Sequence, residues 1–237
     1  MAWFQEWFGE DYLELYSYRD EDEARHQVAF FKSQCGPVHG PLLDLACGKG
    51  RHIAELKAAG YQPIGCDLSF ALLLAGAEEY GPMPVVRADM RNLPFCSNTV
   101  AGLVNFFTSF GYFSSEEENA HVVFEMARVL AKGAVFLFDY LNLQRELRGL
   151  VQRETRTTPN GDVQIERWFD PTDRSFNKRI TIGQKRYVER VRGYDLDEIS
   201  MMFTTAGLSI RTAYGDFDGA PFSAESPRLI LVGTKSR

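Results

Sequence analysis

The stretch DLACGKGRH, Asp44 to His52, sets an acid, two glycines and a lysine between the apolar run Pro41-Leu42-Leu43 and the helix-like Ile53-Ala54-Glu55-Leu56. An ordinary strand-to-helix corner needs one small residue. Gly48 and Gly50 allow positive φ and close approach of a ligand to the backbone, and a helix beginning near Arg51 offers unpaired N–H groups. The dinucleotide fingerprint G-x-G-x-x-G fails here, because Ile53 stands where a third small residue is needed for packing. Asp44 sharpens the choice of ligand: a carboxylate beside the loop attracts a cationic group and repels a pyrophosphate. Asp67, in GCDLS, follows at the distance from which an acid accepts the two hydroxyls of a ribose. Asp89, in RADMRNLPF, ends the next run, where a carboxylate can accept from an adenine amino group. The three acids and the loop outline an adenosyl ligand with a charged amino-acid tail.

The elements that must hold these acids read clearly. Short apolar runs, LLDLAC, PIGCDL, PVVRADM, VAGLVNFF and AVFLFDY, alternate with helical patterns, as in a doubly wound parallel sheet. A helix over about 51–59 stops at Gly60, and Ser69 caps one that ends near Gly81. Ser115 and Glu118 open a third, with Gly133 as its stop. From about Val151 the pattern becomes an antiparallel β-ribbon: VQRETRTT, a turn at Pro159-Asn160-Gly161, DVQIERWF, a turn over 170–173, then SFNKRITI, with the ribbon extending to about Arg192. A helix over about 195–205 and the strands LSIRTAYGDF and PRLILVGTK return the chain to the sheet. Ahead of it, Trp3, Phe4, Trp7 and Phe8 share one helical face, and a second helix starting near Asp20 carries the stripe Ala24, Val28 and Phe31. The division expected is a helical cap or lid over 1–40, a Rossmann-like core over 41–150, a β insert over 151–194 and a completion of the core sheet over 195–237.

With LLDLACGKG, GCDLS, RADMRNLPF and NFFTSFGYF together, residues 42–139 resemble a class I S-adenosylmethionine-dependent methyltransferase, and the C-terminal strands do so more loosely. The resemblance implies a seven-stranded sheet whose last strand runs antiparallel between the fifth and sixth, a slot that PRLILVGTK fits. It implies S-adenosylmethionine as cofactor. Asp44, Ala46, Cys47, Gly48 and Gly50 would surround its methionine part, Asp67 and Leu68 its ribose, Asp89 and Met90 its adenine, and Asn105 and Phe106 the transferring methyl. Ala46 replaces the first glycine common in such loops, so a slightly different loop path is expected. Arg51 and His52 either touch the cofactor or point to solvent. Tyr16, Tyr18 and Arg19 either fold over the cofactor, with Tyr18 and Arg19 at its carboxylate, or only pack the cap.

Methyl transfer from a sulfonium is an in-line displacement, so alignment and desolvation carry much of the catalysis and no triad is required. Phe107, Phe110 and Tyr112, with Tyr16, are the expected walls for an acceptor, and Tyr112 also the expected polar positioner in catalysis. Base methyltransferases carry Asp/Asn-Pro-Pro-aromatic after the fourth strand or a Pro-Cys there, whereas Asn105 is followed by two phenylalanines. That favours an O or N atom of a small molecule over a nucleobase. The net charge of −6 also argues against general nucleic-acid binding, although residues 145–192 hold twelve basic and seven acidic residues. This basic insert could bind RNA, a protein or an anionic substrate, dock on the acidic cap, or join two copies in a homodimer. An adenosyl-binding protein without activity is the non-enzymatic alternative. The start of the chain lacks a signal-peptide pattern and no run reaches membrane-spanning length, so a cytoplasmic protein is expected. Cys35, Cys47, Cys66 and Cys96 are spaced too widely for a metal site and are expected to be buried reduced thiols.

Overall fold

The computed structural model describes residues 2–16, 21–158 and 161–236. Seven strands form the central sheet in the order β10-β11-β5-β4-β1-β2-β3: β1 (Pro41–Leu45), β2 (Gln62–Asp67), β3 (Val85–Arg87), β4 (Val100–Asn105), β5 (Leu130–Leu141), β10 (Leu208–Tyr214) and β11 (Arg228–Lys235). Strands β1 to β5 pair in parallel, while β11 runs antiparallel to both β5 and β10. The sheet is therefore the doubly wound, Rossmann-like arrangement expected, with PRLILVGTK in the antiparallel slot.

Both faces of this sheet are covered, which is why its strands are nearly continuous apolar runs. Leu42, Val104, Leu137 and Ile230 point to α3 (Glu21–Cys35), whose Val28 and Phe31 are buried, and to Leu56 of α4 (Arg51–Ala58). Leu43, Leu103, Phe136 and Phe138 point the other way, to Val122 and Met126 of α6 (Glu116–Val129) and Phe203 of α8 (Leu196–Thr205). Ser69 caps α5 (Phe70–Tyr80) by accepting from Leu72 N, and Ser115 caps α6 by accepting from Glu118 N. Gly133 is not the stop of α6. That helix ends at Val129, the strand starts at once at Leu130, and Gly133 takes a φ of +76° inside β5.

The insert has four strands rather than the three read from the sequence: β6 (Arg153–Thr158), β7 (Gly161–Asp170), β8 (Ser175–Ile182) and β9 (Lys185–Arg192), all antiparallel neighbours. The strand KRYVERVR escapes a search for apolar alternation because basic residues fill its outward positions. Short helices α1 (Trp3–Trp7) and α2 (Glu10–Leu15) lie on the inner face, where Trp7 and Leu15 bury Val163, Ile165 and Ile180. The insert's cations meet acids of the cap and core: Lys185 pairs with Asp11 (2.8 Å) and Arg192 with Glu116 (2.5 Å). All four cysteines are free, but only Cys47 and Cys66 are buried; Cys35 is half-buried and Cys96 is exposed in the loop before β4. No helix among the described residues is long and apolar enough to cross a membrane.

Candidate active site

The loop after β1 takes left-handed backbone at Ala46 (φ 59°), Gly48 (φ 56°) and Gly50 (φ 82°). Ala46 thus adopts the conformation a glycine would adopt, against the steric preference of its Cβ. The loop rests on Gly76 of α5, where any Cβ would collide with the Lys49 carbonyl. Nothing in the spacing of residues announces Gly76, since it contributes only an absence of atoms. Gly50 is the N-cap of α4 and sits beneath Met83 and Ile53, outside the cavity wall.

Three acids converge here from successive strands. Asp44 is buried, and its Oδ2 has no hydrogen-bond partner among the described residues. Burial, reinforced by the charge of Asp67 and opposed by Arg51, pushes the Asp44 carboxyl up to about 8. On the adjacent strand, Asn105 donates Nδ2 to Leu45 O (2.8 Å), and its buried Oδ1 also lacks a partner among the described residues. Buried acceptors left without donors are costly unless a ligand completes them. Asp67 accepts from Gly48 N and Ser69 N, both at 2.8 Å, while burial raises its carboxyl overall. For Asp89, burial acts to raise the carboxyl, but hydrogen bonds from the Arg91 guanidinium (2.6 Å to Oδ2) and backbone override it and hold it low.

These groups open into a cavity of about 310 Å³. Of the residues expected from sequence, Asp44, Ala46, Cys47, Gly48, Asp67, Leu68, Asp89 and Met90 line one end, and Phe106, Phe107, Tyr112 and Tyr16 line the other. Asn105 stands behind the wall. Phe110 is not a wall residue: it is buried against Phe138, Tyr140 and Tyr194, because the chain leaves strand geometry after Phe106 and alternation no longer applies. Tyr18 and Arg19 lie outside the described residues. Both Arg51 and His52 face the cavity; His52 stacks on Phe106 at 4.1 Å and bonds Gln27 (2.6 Å).

The turn after β4 has an unusual construction. Phe107 (φ 64°) and Thr108 (φ 56°) are consecutive left-handed residues, a conformation that persists only where surroundings impose it. Buried Asp139 of β5 accepts from Phe107 N (2.8 Å) and from Arg228 Nε (2.7 Å), and Arg228 also donates to Thr108 Oγ1 (2.6 Å). Neither Asp139 nor Arg228 carried a motif signal.

Sequence reasoning also missed the far wall. Trp3, Phe8 and Tyr12 of the cap line it, together with Glu189 and Val191 of β9. The signal available was the period-two set Tyr187, Glu189 and Val191 within a basic strand.

Residues 42–133 match the family described as Methyltransferase domain. The demethylmenaquinone methyltransferase of Corynebacterium kroppenstedtii is 37% identical over 94 residues, 39% of this chain and 38% of that protein, so the likeness spans well under half of its length. With that domain placed over the loop and the three acids, the assignment is direct. Residues 42–133 belong to the methyltransferase domain family, and the whole chain has the fold of solved methyltransferases. The chain shares its fold with the CcbJ methyltransferase of Streptomyces caelestis (TM-score 0.77, 18% identity, 92% of this chain and 98% of that one). It also shares it with S-adenosylmethionine-bound CalS10, an amino pentose methyltransferase of Micromonospora echinaspora (TM-score 0.69, 17% identity, 96% and 97%).

The residues present fit this cofactor. The unpartnered Asp44 oxygen at the wall wants a hydrogen-bond donor, and the loop that follows it is cleared of side chains, with a Cβ on Gly48 meeting nothing nearer than Leu72 at 3.9 Å.

Proposed function

We propose that this chain is a class I S-adenosylmethionine-dependent methyltransferase that moves a methyl group to an oxygen or nitrogen atom of a small-molecule acceptor. The observation that carries the reading is one cavity lined both by three strand-end acids, with an orphaned Asp44 oxygen among them, and by aromatic rings. Asp44 and the loop through Gly48 would hold the amino-acid part of the cofactor, Asp67 and Leu68 the ribose, and Asp89 with Met90 the adenine. Bound there, S-adenosylmethionine supplies a methyl group activated on a sulfonium. Phe106, Phe107 and Tyr112 would exclude water and align the acceptor, and such positioning alone removes a large share of the barrier. Tyr112 is fixed for this purpose by Trp3, whose ring lies 4.9 Å away and whose Nε1 donates to the Tyr112 carbonyl (3.3 Å). The cap roofs the cavity: Ser69, beside the cofactor loop, donates to Phe8 O (2.6 Å). A roofed, aromatic end favours a small molecule over a polymer, and so does the pairing of the insert's cations with acids of the same chain.

The test is calorimetric titration with S-adenosylmethionine, its demethylated product and NAD, on the wild type and on Asp67→Ala. Asp67 ties Gly48 N of the glycine loop to Ser69 N of the turn after its own strand, so its loss should weaken both adenosyl ligands by about 100-fold. Binding of NAD in place of the adenosyl ligands would overturn the reading.

A further inference from the structure

We propose that the acceptor end of the cavity is a cation site, an aromatic box closed by the Glu189 carboxylate, which holds an acceptor amine; this rests on the methyltransferase reading above. The wall is a run of rings in mutual contact. Trp3 meets Tyr112 at 4.9 Å between centroids, Phe8 meets Tyr12 at 5.0 Å, and Tyr12 meets Tyr16 at 4.8 Å. Ring faces attract an ammonium through their quadrupole, and the attraction strengthens where water is excluded.

Glu189 adds the charge. It stands on β9, reaches the cavity wall, and is held by donors from three separate elements: Trp7 Nε1 of α1 (2.6 Å), Lys178 Nζ of β8 (3.2 Å) and the hydroxyl of Tyr16, just after α2 (3.4 Å). A carboxylate accepts at about four lone-pair positions, so three donors orient it and leave room for one from a ligand. Lys178 is not part of the wall. Besides pairing with Glu189 it donates to the Tyr16 hydroxyl and lies 4.8 Å from the centroid of that ring, so Tyr16 is already engaged by a cation and the rings left for a ligand are Trp3, Phe8, Tyr12 and Tyr112. The wall carries four carboxylates, Asp44, Asp67, Asp89 and Glu189, against the cations Lys49 and Arg51. Both cations are engaged by acids outside the wall, Lys49 by Glu79 (2.6 Å) and Arg51 by Glu23 (2.9 Å). Glu189 and Asp89 are likewise paired with cations outside the wall, Lys178 (3.2 Å) and Arg91 (2.6 Å), so the preference for a positive ligand rests on the ring faces and on the acceptor position that the three donors leave open on Glu189.

Nitrogen chemistry balances in this site. An amine enters as its ammonium and gives one proton to Glu189, which passes it to water. The freed lone pair forms the N–C bond to the methyl while the S–C bond breaks, its electron pair going to sulfur. The product leaves as the methylated ammonium.

The test uses three isosteric probes, benzylamine, benzyl alcohol and benzoate, titrated into the protein with tryptophan emission as the readout, since Trp3 lines the wall and Trp7 bonds Glu189. Benzylamine should bind tightest, and Glu189→Gln should weaken it about tenfold while changing benzyl alcohol less than about twofold. Unchanged S-adenosylmethionine affinity in the variant certifies that it folds; if it does not fold, the ranking of the three probes on the wild type decides. Benzylamine binding no tighter than benzyl alcohol, or an affinity indifferent to Glu189→Gln, would overturn the amine site. Absence of S-adenosylmethionine binding to the wild type would instead remove the methyltransferase reading beneath it.

Discussion

The two ends of the cavity are built in opposite ways. At the acid end, the three acids stand at or just past the carboxyl ends of successive strands, and backbone N–H groups of the loops there, Gly48 and Ser69, hold Asp67. At the aromatic end, the residues come from α1, α2, the turn after β4 and β9, and Trp7 lies 182 positions from the glutamate it bonds. Helices of five and six residues are too short to persist alone in water, and the insert's inner face carries charged as well as apolar residues. Each therefore depends on the other, through Trp7 and Leu15 against Val163, Ile165 and Ile180. The first end is a property of the sheet, and the second is a property of one packing contact.

The sharpest way to break that comparison is Trp7→Ala. Its ring is 1% exposed and sits at the junction, so the substitution should cost about 4 kcal/mol of the stability of the cap and insert. S-adenosylmethionine affinity should meanwhile change less than about threefold, since Asp67 and Asp89 take their hydrogen bonds from Gly48, Ser69 and Arg91 of the core and none from Trp7. Thermal denaturation read beside calorimetry checks this. Loss of adenosyl binding in a variant whose core still melts cooperatively would mean that the two ends form one unit.

Gly76→Ala probes the reverse. The new methyl meets the Lys49 carbonyl and must push the loop or α5 away, at about 2 kcal/mol by the usual cost of overpacking. Adenosyl ligands should weaken by at least about tenfold, whereas benzylamine binding should survive. Equal damage to both ligands would argue that the loop and the aromatic wall move together.

This contrast also explains what could be read from residues alone. The alternation of strands and helices, the Ser69 and Ser115 caps and the three acids were legible because each depends on a local pattern: an apolar period, a cap spacing, an acid at a strand end; the antiparallel slot of β11 came only with the family resemblance. Glu189 was not, because its meaning depends on Trp7 and Tyr16, which no periodicity links to it. The placement of Phe110 failed for a related reason: strand alternation was carried past Phe106 into two left-handed residues that Asp139 and Arg228 hold from other strands. Gly76 is silent for the simplest reason, that a required void leaves no signature in the residues around it.

Asp44 gives the comparison a pH axis. Burial raises its carboxyl to about 8, so between about pH 4, where an unfolded aspartate ionises, and about pH 8 the folded chain binds the extra proton. The stability of the ligand-free protein from this group is full below that window and is lost as pH rises through it. Asp44→Asn should leave stability unchanged near the bottom of the window and raise it by several kcal/mol at its top, at about 1.4 kcal/mol for each pH unit crossed, because the folded chain holds a proton there that the unfolded chain has released. The same variant should bind S-adenosylmethionine more weakly. A denaturation series against pH with and without the cofactor checks both signs, and a variant no more stable than wild type at the top of the window would exclude Asp44 as the group concerned.

The smallest effect isolates backbone from ligand. Ala46 holds a φ of 59°, where a Cβ crowds the following carbonyl, and its neighbour Gly48 holds nearly the same angle without that crowding. Ala46→Gly removes the steric penalty but gives the unfolded chain more freedom, and the two oppose each other. The steric term is the larger, so a net gain of about 0.5 kcal/mol is expected, seen as a small rise in melting temperature. Cofactor affinity should stay the same, because the loop already follows the path a glycine would take. A loss of stability would mean that the left-handed turn at Ala46 is relieved elsewhere in the loop, and a gain in affinity would mean that the alanine displaces the backbone that the cofactor meets.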